Sequence, residues 1–200
     1  QTAIYGLATV LPRMISFLLV PIYTDVMAPG KYGEVTLIFS WFAIFNVFLA
    51  YGMETAFFRF YKESENRKKV VSTSLLSIMG STALLVLVGV LFKTPLSTAL
   101  NIDLPFMNYV LGILALDALA IIPFAWLRAN EKPMRYAIVK ILNVSLNLGL
   151  TLFFLIFIPK IATGSSTGFF NSLYKPDYEI PYILIAKLIA SGVTLLLMIR

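Results

Sequence analysis

The chain contains no cysteine and no histidine. The first absence excludes disulfides and thiol chemistry, and the second removes the commonest metal ligand, so no metal site and no cofactor is expected. Charge is also scarce, with 13% of residues charged against 59% apolar and a mean hydropathy of +0.86. No G-x-x-x-x-G-K-[ST] phosphate loop occurs, so the chain has no ATPase engine of that type. No carboxylate pair sits in an aqueous setting that would support hydrolysis. The first apolar run is too long for a cleavable signal peptide and lacks a small-residue cleavage site. The expectation is a protein that is not an enzyme and that stays in the membrane.

What the chain does have is a series of apolar runs, each long enough to cross a hydrocarbon core of ~30 Å. Six spans are expected, at about 2–26, 35–60, 70–92, 106–127, 136–158 and 181–200. The fold class is therefore an all-α integral membrane protein. In a soluble chain the net charge of +6 would point to nucleic acid; here no nucleic-acid partner is expected, and the positions of the lysines and arginines set topology instead. The second and fourth connectors hold Arg59, Lys62, Arg67, Lys68, Lys69, Arg128, Lys132 and Arg135, whereas the other three hold only Lys31, Lys93, Lys160 and Lys175. With Arg200 on the same side, both ends of the segment are expected in the cytoplasm. The run "KESENRKK" (62–69) is then a topology determinant that contacts anionic membrane lipid. The long loop 159–181, with Phe169, Phe170, Tyr174 and Tyr178, faces outward at the headgroup level.

The informative residues are polar groups at hydrocarbon depth. A charge at mid-bilayer costs from ~2.5 to above 10 kcal/mol, so it normally points into a bundle or a wet cavity. Arg13 lies near the middle of the first span, too far from either interface to snorkel. It is either a cavity arginine that meets substrate or the partner of Asp117, which falls at similar depth on the fourth span. On the fifth span Tyr136, Lys140, Asn143 and Asn147 follow spacings of four, three and four. At 100° per residue they share an arc of roughly 60°, which is either a cavity face or an interhelical hydrogen-bonding seam. Lys187, Ser191 and Thr194 form a weaker stripe on the sixth span, with Lys187 a further cavity candidate. Arg59 is expected at the interface and Glu54 about a turn deeper. Pro12 and Pro21 allow the first helix to bend.

Taken together, Gly6, Arg13, "SFLLVPIYTDVMAPGKYG" (16–33), "YGMETAFFRFYK" (51–62) and "PFAWLRANEKPMRYAIVKILNVSLNLGL" (123–150) resemble the amino-terminal part of bacterial polysaccharide-biosynthesis flippases. These are lipid-linked oligosaccharide exporters of the multidrug/oligosaccharidyl-lipid/polysaccharide superfamily, similar to O-antigen translocases. The resemblance implies two six-helix lobes around a cationic cavity, and this chain, running from Gln1 to Arg200, resembles one six-transmembrane-helix lobe of such a two-lobe transporter. It further implies movement of an undecaprenyl-diphosphate-linked oligosaccharide across the bacterial inner membrane. Polysaccharide polymerase and glycosyltransferases are candidate partners. On this reading Arg13 and Lys140 contact the diphosphate, Tyr136, Asn143 and Asn147 contact sugar hydroxyls, and Arg59 attracts the headgroup at the mouth. Glu54 and Asp117 are counter-ions or ion-coupling sites. A cation-coupled multidrug exporter of the same architecture and a non-transporting scaffold for glycan assembly are the alternatives.

Overall fold

The computed structural model describes residues 17–160 and 178–199, together with Gly6, Val10, Leu11 and Met14. Arg13 lies outside the described residues, as do most of the first expected span and most of the loop expected at 159–181. Among the described residues every regular element is helical. In chain order these are α1 (Leu19–Val26), α2 (Pro29–Ala50), α3 (Met53–Glu63), α4 (Arg67–Leu91), α5 (Lys93–Leu100), α6 (Met107–Ala129), α7 (Pro133–Leu152) and α8 (Glu179–Ile199). Helix α7 widens into a π-type turn over Phe153–Phe157 and continues to Lys160.

Among the described residues five helices are long and apolar enough to cross a membrane: Pro29–Glu63, Arg67–Leu91, Met107–Ala129, Pro133–Lys160 and Glu179–Met198. Their starts follow local chemistry. Pro29 and Pro133 stand in the first turns of α2 and α7, where a missing N–H costs nothing. Asn66 caps α4 by accepting from the Lys69 amide at 3.2 Å.

The span expected at 35–60 lies within the stretch Pro29–Glu63, which is interrupted at Tyr51 (φ 29°) and Gly52 (φ 73°). Left-handed backbone stops α2, and α3 restarts as a strongly amphipathic segment. Between the spans α4 and α6, residues Lys93–Leu100 form α5, tied to the bundle by Trp41 Nε1 donating to the Leu100 carbonyl at 3.1 Å.

Helix α6 is the centre of the packing, touching α2, α3, α4, α7 and α8. With no hydrophobic drive between helices in lipid, close fit and small residues carry the association. Ala118 on α6 and Ala186 and Ala190 on α8 are fully buried. A Cβ on Gly112 would stand 3.1 Å from Leu188 Cδ1, so its absence lets α8 approach. The outer surfaces of α2 and α4 expose Val47, Phe48, Leu76, Leu84 and Leu91, a surface suited to lipid rather than water.

Candidate functional site

A cavity of about 340 Å³ opens inside the bundle between α2, α3, α6, α7 and α8. Each of the five helices contributes at least one polar residue. Helix α6 presents Asp117, Ile121, Phe124 and Arg128, at spacings of four, three and four. Helix α7 presents Tyr136, Lys140 and Asn143, and α8 presents Lys187, Ser191 and Thr194. Asn46 near the end of α2 and Glu54 at the start of α3 complete the wall. Because a helix repeats every 3.6 residues, these spacings hold each stripe on one face while the other faces carry leucine, isoleucine and valine to lipid or to the core.

The charges are arranged unequally. Arg128 pairs with Glu54 across the mouth and lies over the Phe58 ring at 5.1 Å. Deeper in, Lys187 Nζ stands 3.8 Å from Asp117 Oδ2, and Ser191 donates to Asp117 Oδ1 at 2.7 Å. Both carboxylates therefore already hold a cation. Lys140 is different: among the described residues it forms no ion pair, and its ammonium faces the rings of Phe124 at 5.0 Å and Tyr136 at 5.8 Å. Cation–π attraction is worth ~0.5–2 kcal/mol, far less than the loss of hydration for an ammonium at this depth. Among its described lining residues the cavity carries three cations, Arg128, Lys140 and Lys187, against two carboxylates, Glu54 and Asp117, a surplus of positive charge.

The residues expected from the sequence are distributed as follows. Lys140, Tyr136, Asn143, Glu54, Asp117 and Lys187 come together in this cavity. Asn143 also ties α7 to α8, donating to Thr194 Oγ1 at 2.7 Å and to the Ala190 carbonyl at 3.1 Å, so it is at once seam and wall. Asn147 does not line this cavity but a neighbouring pocket that Lys187 also borders. Arg59 is displaced from its expected place at the mouth. Its side chain is 75% exposed on the outer face of α3 and pairs with Glu63 at 3.6 Å, one turn along the same helix. Arg128, paired with Glu54, lines the cavity instead. Asp117, weighed above as a partner of Arg13, is paired with Lys187.

Arg128 and Asn46 were not anticipated. Arg128 reads as one more connector charge, yet its spacing of eleven from Asp117 places it on the same face of α6, which is the signal that identifies it. Asn46 gives no comparable signal, because the break at Tyr51–Gly52 destroys its helical register with Glu54.

No curated protein and no solved structure matches the chain. A family model described as "Polysaccharide biosynthesis protein" matches it over residues 1–175, most of its 200 residues. The chain, whose described residues include five helices long and apolar enough to cross a membrane, belongs to the polysaccharide biosynthesis protein family.

Proposed function

We propose that the chain is a six-helix lobe of a two-lobe flippase that moves undecaprenyl-diphosphate-linked oligosaccharide across the bacterial inner membrane. Transport proceeds by alternating access, with no covalent chemistry and no cofactor. The observation that carries this reading is the anion-seeking cavity, and within it the unneutralised ammonium of Lys140. A diphosphate entering the cavity supplies what the protein withholds, namely charge-assisted hydrogen bonds to Lys140 and, at the cost of the long Asp117 contact, to Lys187. In a site shielded from water these bonds are stronger than at a surface. Arg128, paired with Glu54, marks the entry. The basic ends of α3, α4, α6 and α7 face the cytoplasm, so the diphosphate meets this mouth first.

A drug exporter for cationic amphiphiles needs surplus acid in its cavity, and the surplus here is basic. The test is export in cells that depend on the full-length protein. Lys140→Gln lowers surface polysaccharide about tenfold or more at normal membrane levels, whereas Lys140→Arg retains a measurable part. Wild-type export by Lys140→Gln overturns the assignment. Efflux of a cationic dye that vanishes in Glu54→Gln and Asp117→Asn, with glycan export unaffected, supports the exporter instead.

A further inference from the structure

A crevice of about 570 Å³ runs along α6 between α4 and α8, and it shares no described lining residue with the first cavity. Its wall is aliphatic side chains, methionine and Trp126, with one exception, Arg135 in the first turn of α7. No carboxylate is among its described lining residues. Along α6 the lining extends from Leu119 to Leu127, about 12 Å at 1.5 Å per residue. That depth fits within one leaflet of a hydrocarbon core of ~30 Å. The crevice is therefore an apolar slot, one leaflet deep, with a guanidinium at its basic end.

A guanidinium presents a fork of N–H donors. Arg135, half-buried, gives one to the Leu197 carbonyl at a long 3.4 Å and forms no ion pair among the described residues. Beside it, Trp126 carries the Lys132 ammonium over its ring at 4.9 Å, an aromatic residue and a cation together at headgroup level. Across the crevice, Val71, Leu75 and Met79 mark the face that α4 turns inward. Lys68, one turn before Val71, falls within the same arc, whereas Lys69 lies about 100° round the helix. Cations thus gather at one end of an apolar slot with no acid in its wall. A zwitterionic lipid would bring its own ammonium against them. An anionic phospholipid satisfies both parts, its chain covering the apolar wall and its headgroup accepting charge-assisted bonds from Arg135. Basic pockets between membrane helices hold such headgroups.

We propose that this crevice is a binding site for one anionic phospholipid of the leaflet at the basic end of the bundle, with an acyl chain between α4 and α8 and the headgroup on Arg135 and Lys68. The site is distinct from the transport cavity, and the proposal stands whatever that cavity carries. It also differs from a general attraction of the basic connectors to anionic membrane, because it names one slot and separates Lys68 from its neighbour Lys69. The bound lipid fills the gap between two helices that both pack on α6.

The experiment reads Trp126 fluorescence in the full-length protein, reconstituted in bilayers that mix phosphatidylglycerol with phosphatidylcholine, one of the two carrying brominated chains that quench on contact. The Trp126 signal is the difference between the protein and Trp126→Phe, which removes Trp41 and every other tryptophan from the reading. Brominated phosphatidylglycerol is expected to quench Trp126 with about threefold to tenfold higher relative affinity than brominated phosphatidylcholine. Arg135→Gln or Lys68→Gln brings that ratio towards one, and Lys69→Gln, which removes the same charge one residue along, leaves it unchanged. Lys68 and Lys69 are exposed, so this comparison holds even where Arg135→Gln fails to fold. A wild-type ratio of one overturns the site, as does a ratio that neither Arg135→Gln nor Lys68→Gln lowers. An equal fall in Lys69→Gln also overturns it, since the preference is then diffuse attraction to a basic surface. Absence of Trp126 quenching by either lipid overturns it too, because another protein segment then covers the crevice.

Discussion

At the scale of single residues, the contrast between Lys140 and Lys187 organises the site. Both are lysines in the same cavity, but Lys187 has Asp117 at 3.8 Å and Lys140 has aromatic rings. Removing Lys187 strands the Asp117 carboxylate, which Ser191 alone then serves. Breaking a fully buried pair costs ~3–5 kcal/mol, and with about a quarter of each side chain still exposed the cost here is smaller. Lys187→Met is therefore expected to lower the melting temperature of the purified protein, and adding Asp117→Leu to restore most of it. Lys140→Met should not lower it, because it strands no acid. A loss of stability in Lys140→Met equal to that in Lys187→Met would show that the two lysines are structurally equivalent. The sequence could place both lysines and Asp117 at mid-depth, since any charge inside an apolar run stands out. The pairing of Asp117 with Lys187 was beyond it, since that depends on α8 lying against α6.

At the scale of elements, the break between α2 and α3 shapes the mouth of the cavity. Gly52 has φ 73°, a backbone state that costs an ordinary side chain roughly 1–2 kcal/mol and a β-branched one more. Space is not the constraint, since a Cβ there would meet nothing within 4 Å. Gly52→Val should thus destabilise by at least ~1–2 kcal/mol and Gly52→Asn by less, read from denaturation midpoints. Equal effects of the two would mean that the left-handed turn is not retained in the folded protein. A bend of this kind is poorly legible in sequence because the apolar pattern runs on through "FLAYGMETAFF" and Gly52 looks like any glycine in a membrane helix. Helix α5 was hidden for the opposite reason, as its polar residues and proline resemble a loop, and its contact with Trp41 joins residues 59 apart in sequence. Of the α7 stripe, Tyr136, Lys140 and Asn143 share one cavity wall as their helical spacing suggests, whereas Asn147 lines the neighbouring pocket, a division that depends on α1 and α2 and that spacing alone does not carry.

At the scale of the whole molecule, the site exists only as the space left where five helices bring their polar stripes together, so its test must read the space rather than any one contact. From Tyr136 to Asn147 the α7 stripe climbs about 16 Å at 1.5 Å per residue, passing from the first cavity at Tyr136, Lys140 and Asn143 to the neighbouring pocket at Asn147. The absence of native cysteine makes each position available to a single-cysteine probe without background. Cysteines at 136, 140 and 143 should react with a small membrane-impermeant thiol reagent applied from the side bearing the basic connectors. Cysteines replacing Val139, which is buried in the bundle, and Leu146, which lines neither cavity, should react much more slowly. Position 147 adds a further discrimination, because it shares its pocket with Lys187, which also borders the first cavity. Preloading with the diphosphate lipid, which draws on that ammonium, should protect 147 together with 140. Protection of 140 without 147 would separate the two pockets functionally, and uniform slow reaction at all six positions would make the stripe a packed helix seam.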